Sequence, residues 1–314
     1  MPDDPGYQRQ TIINLYSSGM DPDNIALQLD VSRDHVDRVV AEFLAGEEKK
    51  SSAALQVSQA PSLSSFYLEK VVDTDLAVRQ AQERVWKVLK FDPDLNLTSQ
   101  ETQAILEKFV KSKVAFVILH VDLVGSTKLS MTLPPDRLAN IVQAFTQEMS
   151  IMISAFGGYV LKYVGDAVMG FFLADWNNLS VPCSNAVACA HAMLKVMQQG
   201  INPILNQYDY PELSVRVGID VGDNVVVQYG WDTTMLDDGR VARRPHLDIL
   251  GYTISVTAKM TTLAKPGQIM IGQFVYETLC QSQQASYKPI SISPEAWGYV
   301  SDHTGKIYQV YGSI

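Results

Sequence analysis

Two short apolar segments that each lead to an aspartate constrain the fold of this chain more than any other feature. The first is residues 115–121, a largely apolar run of strand length that stops at Asp122. The second is residues 159–163, which are followed by Gly165-Asp166 and by another apolar run over residues 168–172. Such runs predict buried strands, and glycine with aspartate between two of them predicts a tight hairpin turn. The two aspartates can then meet on neighbouring strands.

This arrangement of aspartates favours a divalent cation bound together with a polyphosphate. Mg²⁺ prefers oxygen ligands and is normally shared between one or two protein carboxylates and the phosphates of a nucleotide. After Asp122, the small residues Gly125, Ser126 and Thr127 form a turn before a predicted helix, and the N–H groups of such a turn can bind phosphate. Taken singly, each segment is equally well explained as a strand-end cap or an ordinary hairpin turn. Together they indicate phosphoryl chemistry.

Four motifs follow one another in the C-terminal two thirds of the chain. They are Asp122-Leu123-Val124-Gly125-Ser126-Thr127, Gly157-Gly158 followed by Lys162-x-x-Gly165-Asp166, Val215-Arg216-Val217-Gly218-Ile219-Asp220-x-Gly222, and Asp248-x-x-Gly251. By these motifs residues 114–312 resemble the catalytic domain of class III nucleotidyl cyclases, the adenylate and guanylate cyclase family. The resemblance implies a phosphorus–oxygen lyase, which converts a nucleoside triphosphate to a 3′,5′-cyclic nucleotide and pyrophosphate in cyclic-nucleotide signalling.

The same resemblance implies roles for individual residues. Asp122 and Asp166, with the carbonyl of Leu123, are expected to bind two Mg²⁺ or Mn²⁺ ions per site. Lys162 and Asp248 are expected to read the base. Lysine offers donors and aspartate offers acceptors, so the pair matches the ring acceptor and exocyclic amino group of adenine. ATP is therefore the favoured substrate, although cytosine presents a similar edge, and a surface lysine beside a helix-capping carboxylate is the simpler alternative.

The expected catalytic positions depart from the family pattern. Where the family has asparagine and arginine, this chain has Ser255 and Lys259. Lysine keeps the positive charge but cannot form the two-pronged contact of arginine with phosphate. We therefore expect an adenylate cyclase of low or regulated activity. Two alternatives stay open, namely an ATP-binding cyclase-like protein with little or no turnover and a pyrimidine (UTP or CTP) cyclase of an antiphage signalling system.

The predicted fold class is α+β, with a ferredoxin-like antiparallel βαββαβ sheet preceded by a small all-helical N-terminal region. The resemblance also implies a homodimer, because metal-binding residues of one family domain face the base-reading and catalytic residues of another. We predict a three-helix unit similar to a helix-turn-helix over residues 1–46, a linker over 47–62, a helical connector over 63–112 and the cyclase domain over 113–314. In the connector, one long helix is predicted over residues 64–89 and a capping box at 98–101.

The composition of the chain limits the classes of partner that it can bind. The formal net charge of −9 argues against broad attraction to nucleic acid or anionic lipid. DNA binding through residues 7–45 is the weaker alternative to docking or dimerisation, because that segment is nearly balanced in charge. The strongest apolar run is too short to span a bilayer, so a cytoplasmic protein without membrane contact is expected. The three scattered cysteines, Cys183, Cys189 and Cys280, predict buried reduced thiols.

Overall fold

The computed structural model describes residues 9, 11–13, 16, 20–54, 72–90, 100–235, 241–293, 295–300 and 305–314. The chain divides into two compact units, Met1–Ser62 and Leu63–Ile314. In the described residues no helix combines the length and the apolar character needed to cross a membrane.

The first unit is helical. Helix α1 (Pro22–Leu29) begins where Asp21 Oδ1 accepts the Asp23 N–H at 2.8 Å, with proline at its first position, as the sequence predicts. Helix α2 (Arg33–Ala54) extends into the segment 47–62 that is predicted as a linker. Apolar side chains from α1, α2 and the segment before them form one small core of Ile12, Ile13, Ile25, Val36, Val39 and Val40. The first helix of the predicted three-helix unit, expected over residues 7–17, lies partly outside the described residues.

The connector differs from its prediction. Helix α3 (Thr74–Lys90) begins where Asp73 Oδ1 accepts the N–H groups of Asp75 and Leu76, each at 3.0 Å. The expected start at Ser64 is wrong for this helix, because Val72 and Asp73 are not helical. Helix α4 (Gln100–Glu107) follows, and the first two residues of its predicted capping box lie outside the described residues.

The second unit is built on one sheet, whose described strands are β1 (Lys113–Val124), β2 (Tyr159–Val164), β3 (Ala167–Ala174), β4 (Ser214–Met235), β5 (Val241–Leu250), β6 (Ile269–Gly272), β7 (Tyr287–Pro289) and β8 (Val310–Ser313). They lie in the order β2-β3-β1-β4-β6-β8-β7, and β5 pairs with β4. All these pairs are antiparallel except β4 with β6. The order β2-β3-β1-β4, with helices after β1 and β3, confirms the ferredoxin-like βαββαβ arrangement.

The remaining helices are α5 (Ser126–Thr132), α6 (Pro135–Ala155), α7 (Ser180–Lys195) with a π-helical extension (Val196–Ile201), α8 (Asn202–Gln207), α9 (Tyr252–Leu263), α10 (Gln273–Thr278) and α11 (Gln281–Gln284). One sheet face packs on α3, α6 and α7 in the largest core, where Phe145, Met149 and Met193 are fully buried. A bidentate pair fixes α3 against α6, with both Arg84–Glu148 contacts at 2.7 Å and Glu148 only 1% exposed.

The other sheet face is covered by α4, part of β5 and α9. Ile105 and Leu106 of α4 and Phe109 just after it pack there with Phe116 and Phe171 of the sheet. Helix α9 can lie close to β4 because β4 carries glycine where they meet. A Cβ at Gly218 would lie 2.4 Å from Thr261 Oγ1, and one at Gly222 would lie 2.4 Å from Tyr252 Oη. This contact explains why both glycines stand in the third sequence motif.

The cysteines agree with the prediction in part. All three are free, and burial raises the pKa of the Cys183 and Cys189 thiols. Cys280 is exposed, contrary to the expectation that all three thiols are buried.

Candidate functional site

The end of β1 and the β2–β3 hairpin bring the two motif aspartates close together. The last β1–β3 pair is Val121 with Val168, so one further step along the register sets Asp122 opposite Ala167, beside Asp166. Burial lowers the pKa of His120, while the charges of Asp122 and Asp166 both act to raise it. Both carboxylates are therefore within electrostatic range of one imidazole.

The two carboxylates have different partners. Asp122 Oδ2 accepts two hydrogen bonds from Arg216, from Nε at 2.8 Å and from Nη2 at 2.6 Å. Asp166 Oδ2 is buried and has no hydrogen-bond partner within the described part of the chain. A buried carboxylate oxygen without a donor is costly unless a cation binds it. Oxygen donors of this kind fit a hard divalent ion such as Mg²⁺ or Mn²⁺.

The predicted phosphate-binding turn follows Asp122 directly. Gly125 has φ of 79°, a left-handed conformation that favours glycine, and α5 begins at Ser126. Thr127 is exposed and Ser126 is half-buried. The side chain of Leu123 lies in the core, which leaves only its carbonyl for the expected metal contact. Phosphate binding by the turn stays a prediction.

The expected base-reading residues lie in contact although 86 positions separate them. Lys162 Nζ donates to Asp248 Oδ2 at 2.5 Å, and the Ile249 N–H donates to Asp248 Oδ1 at 2.8 Å. Their side chains are 35% and 17% exposed, so a ligand can reach both. Asp248 lies on β5 and not at a helix N-terminus, which removes the helix-capping alternative for this residue.

The expected catalytic residues lie on α9. Ser255 and Lys259 are exposed and one helical turn apart, so they share a face of the helix. Arg216 connects this helix to the aspartates, because its Nη1 donates to Thr262 O at 3.0 Å while the same guanidinium binds Asp122. The structure thus links α9 to the end of β1 that carries Asp122.

A cavity of about 750 Å³ lies beside Ser255, between α9, the start of β1 and the segment before β8. Its walls are mainly aromatic, and they include Trp176, Tyr252, Phe274, Tyr299 and Tyr308. At its rim Lys113 pairs with Asp223 at 2.8 Å. The space is large enough for a longer side chain at position 255.

A buried carboxyl group lies deeper in the same region. Asp220 on β4 is fully buried, and the Tyr308 hydroxyl donates to its Oδ1 at 2.7 Å. Burial raises the pKa of Asp220 to about 7. The protonated, neutral carboxyl is therefore the form that the fold favours.

This carboxyl group predicts a pH dependence of stability. Its pKa is higher in the folded than in the unfolded chain, so its stabilising effect is complete below about pH 4 and is lost as the pH rises through about 7. Asp220→Asn keeps an acceptor for Tyr308 and cannot ionise. We expect the Tm of the native protein to fall relative to that of the variant between pH 5 and pH 8. Parallel Tm curves over this range would contradict the assignment.

Sequence reasoning did not assign roles to His120 or Arg216. A period-2 pattern could have found His120, because residues two apart on a strand share a face and Asp122 is two positions away. Arg216 lies directly opposite Asp122 in the β1–β4 register, which no local pattern reveals. Within the described ranges, no group of three or more His, Cys, Asp or Glu side chains could hold a metal ion.

Comparisons with known proteins agree with the fold. A model of the adenylate and guanylate cyclase catalytic domain matches residues 110–293. A cytidylate cyclase of Escherichia coli is 26% identical over 196 residues, which are 60% of this chain and 40% of that protein. An adenylate cyclase of Anabaena cylindrica is 26% identical over 200 residues, which are 62% of this chain and 36% of that protein. The matched segment thus spans less than half of either relative.

Among solved structures, the adenylyl cyclase CyaB from P. aeruginosa is 22% identical and aligns with a TM-score of 0.48, covering 65% of this chain and 95% of that one. The family model, in contrast, is matched over more than half of the chain and includes the β1 aspartate, the β2–β3 hairpin, Asp248 and α9. The chain therefore belongs to the adenylate and guanylate cyclase catalytic domain family.

Proposed function

We propose that this chain is a nucleotidyl cyclase for nucleoside triphosphates whose base presents a ring acceptor next to an exocyclic amino donor, with ATP as the first substrate. In the reaction the ribose 3′-oxygen forms a bond to the α-phosphorus, the bond from the α-phosphorus to the bridging oxygen breaks, and pyrophosphate leaves. The 3′-hydroxyl releases its proton to solvent water. The observation that carries the base assignment is the contact between Lys162 and Asp248 in a family domain.

Asp122 and Asp166 are the residues that would bind Mg²⁺ or Mn²⁺. When bound, such ions supply positive charge against the triphosphate and lower the pKa of a coordinated hydroxyl. The unpartnered Asp166 oxygen supports this role, and the contact of Asp122 with Arg216 orients its carboxylate. Gly125, Ser126 and Thr127 would add backbone donors to the phosphates, although α5 is only seven residues long.

The base is chosen by polarity. Adenine and cytosine each present a ring acceptor next to an amino donor, and these match a lysine donor and an aspartate acceptor. Guanine and uracil present the reverse order, so the same pair disfavours GTP and UTP. In the free protein Lys162 and Asp248 form an ion pair with each other. A mismatched base would break that ion pair without supplying new hydrogen-bond partners to the two side chains.

CTP is the second candidate substrate. Three of the relatives are named cytidylate cyclases, two of them 26% identical and one 29% identical over the matched segment. Another, 30% identical over 118 residues, is named a uridylate cyclase. Cytosine satisfies the Lys162–Asp248 pair and uracil does not, so the pair favours CTP among the pyrimidine nucleotides.

We further propose that two copies of the chain form a homodimer with two equivalent sites. In this arrangement the aspartates of one copy face the base-reading pair, Ser255 and Lys259 of the other. The exposure of Ser255 and Lys259 on the outer face of α9 supports this proposal.

DNA binding through residues 7–45 stays a weaker possibility, because Arg33 of α2 is paired with Asp23 and Asp37 within its own unit.

Exchanging the hydrogen-bond donor and acceptor of the Lys162–Asp248 pair tests the base assignment. We expect Lys162→Glu with Asp248→Cys to lower the preference for ATP over GTP by about tenfold or more, since each charged hydrogen bond contributes about 1.5 to 3 kcal/mol. The measurement is competition of the four nucleoside triphosphates for binding. Lys265→Gln, at an exposed lysine, also lowers the net charge by one and is the charge-matched control. Tighter binding of UTP than of ATP or CTP by the native protein would contradict the assignment.

A further inference from the structure

Helix α4, which lies outside the sheet, binds the strand residue next to the base-reading aspartate. Gln103 Nε2 donates to Leu247 O at 3.1 Å, and the Leu247 N–H donates to Gln103 Oε1 at 2.9 Å. One side-chain amide thus pairs with both backbone groups of the residue immediately before Asp248. This is the pattern of a strand partner, and it fixes the local path of β5.

The neighbouring residue of α4 binds the other base-reading strand. Thr102 is 3% exposed and its hydroxyl donates to Val160 O at 2.8 Å. The β2–β3 pairing shifts register between Val160 and Lys162. Irregularities of this kind re-aim the side chains that follow them. Thr102 therefore fixes β2 at the register shift that sets the direction of the Lys162 side chain.

The sheet itself does not set the spacing of the base-reading pair. Strand β2 is the outer strand on one side, whereas β5 pairs with β4, and β3 and β1 lie between β2 and β4. No backbone ladder joins β2 to β5 among the described strands. Helix α4 contacts both. Leu106 of the helix and Phe109 just after it lie in the core, and the Lys111 N–H donates to Val226 O at 3.1 Å.

We propose that Thr102 and Gln103 are positioning residues that set the separation of Lys162 and Asp248 and thereby the choice of base. The inference rests on the proposed base-reading role of that pair. The strength of a hydrogen bond depends steeply on distance and angle. A small shift of either strand therefore weakens the binding of a nucleotide with a matching base more than the binding of one with a mismatched base. A residue that only stabilised the fold would instead affect all nucleotides equally.

The test compares four variants by competition binding of ATP, CTP, GTP and UTP and, where product forms, by KM and kcat. Gln103→Leu removes both bonds to Leu247, Thr102→Val removes only the hydroxyl, and Thr102→Ser keeps it. Glu107→Leu, an exposed change on the same helix, is the matched control. We expect Gln103→Leu and Thr102→Val to lower the preference for ATP and CTP over GTP and UTP by about tenfold, equivalent to about 1.4 kcal/mol. KM should rise with kcat nearly unchanged, and Thr102→Ser and Glu107→Leu should behave like the native protein.

Lys162→Ala is the reference that separates the possible failures. If Lys162→Ala loses selectivity while Gln103→Leu and Thr102→Val keep it, the positioning inference is wrong and the base reader stands. If Lys162→Ala is as selective as the native protein, the base-reading role is wrong and the inference with it. Should Gln103→Leu fail to fold, the comparison of Thr102→Val with Thr102→Ser decides by itself, and equal selectivity in these two overturns the proposal.

Discussion

Replacing Asp166 by asparagine is expected to reduce turnover by two to three orders of magnitude or more and to leave the fold intact. Removing one preorganised charged or polar group from a phosphoryl site typically has an effect of about this size. Asp166 Oδ2 is buried without a partner in the described structure, so its charge costs folding free energy in the absence of a cation. The variant should therefore have an unchanged or higher Tm. The measurements are turnover and thermal melting without added metal.

The matched control is Asp209→Asn. Asp209 is exposed and has φ of 56°, a conformation that asparagine also tolerates. It should retain native turnover. Turnover of Asp166→Asn within a few fold of the native value would contradict the metal assignment. Asp122→Ala is a less direct test, because it leaves the half-buried guanidinium of Arg216 unpaired and should also lower stability.

The same variant tests whether sites are shared between two copies. Asp166→Asn lacks the aspartate half of each proposed site, and Lys259→Ala lacks the catalytic lysine of the other half. In a random mixture half of the dimers are mixed, and each mixed dimer has one intact site of two, so about a quarter of native turnover should return. Mixtures that stay as inactive as their components would contradict the shared site.

Restoring the family pattern on α9 is expected to raise turnover tenfold or more, about 1.4 kcal/mol of barrier. The change is Ser255→Asn with Lys259→Arg. Arginine can contact phosphate oxygens through two parallel hydrogen bonds, whereas lysine is a point charge. Both positions are exposed, and the cavity beside Ser255 has room for asparagine. Because these groups act where charge develops, kcat should change much more than ATP affinity.

Lys265→Arg, an exposed exchange of the same type just after α9, is the control for this experiment. A gain in kcat identifies the native protein as an attenuated cyclase. ATP binding without product in both the native and the restored protein would favour a binding module instead. A loss of turnover on restoration would mean that Ser255 and Lys259 belong to a differently built active site.

Local features of the sequence predicted the elements that depend on local interactions. Proline at position 135 and the amphipathic pattern after it predict a helix over residues 135–155. Helix α6 has these bounds, because both signals act within the helix. The hairpin at Gly165 was equally predictable, since Gly165 has φ of 62°, a conformation that glycine adopts readily. The start of α3 could not be predicted in this way. Asp73 is one of several residues that could cap the helix, and periodicity alone does not locate a helix end.

Contacts between distant segments of the chain could not be predicted from the sequence. The resemblance to the family named Lys162 and Asp248 together, but their contact depends on how β5 leaves β4 and on α4. The partners of α4 are 58 and 144 positions away from it, and nothing in residues 100–107 marks them. Likewise, the Asp122–Arg216 pair follows from the β1–β4 register, which is set by the whole core.

Product analysis tests the proposed cyclase reaction most directly. The native chain is incubated with each of the four nucleoside triphosphates and Mn²⁺, and the products are identified by mass spectrometry, with Asp166→Asn as the blank. The proposed function predicts pyrophosphate and a 3′,5′-cyclic nucleotide from ATP, with CTP as the second substrate, and neither product from Asp166→Asn. Cyclic product from UTP or GTP in preference to both would contradict the base assignment. Bound nucleotide that is never cyclised, even by the Ser255→Asn, Lys259→Arg variant, would contradict the cyclase itself.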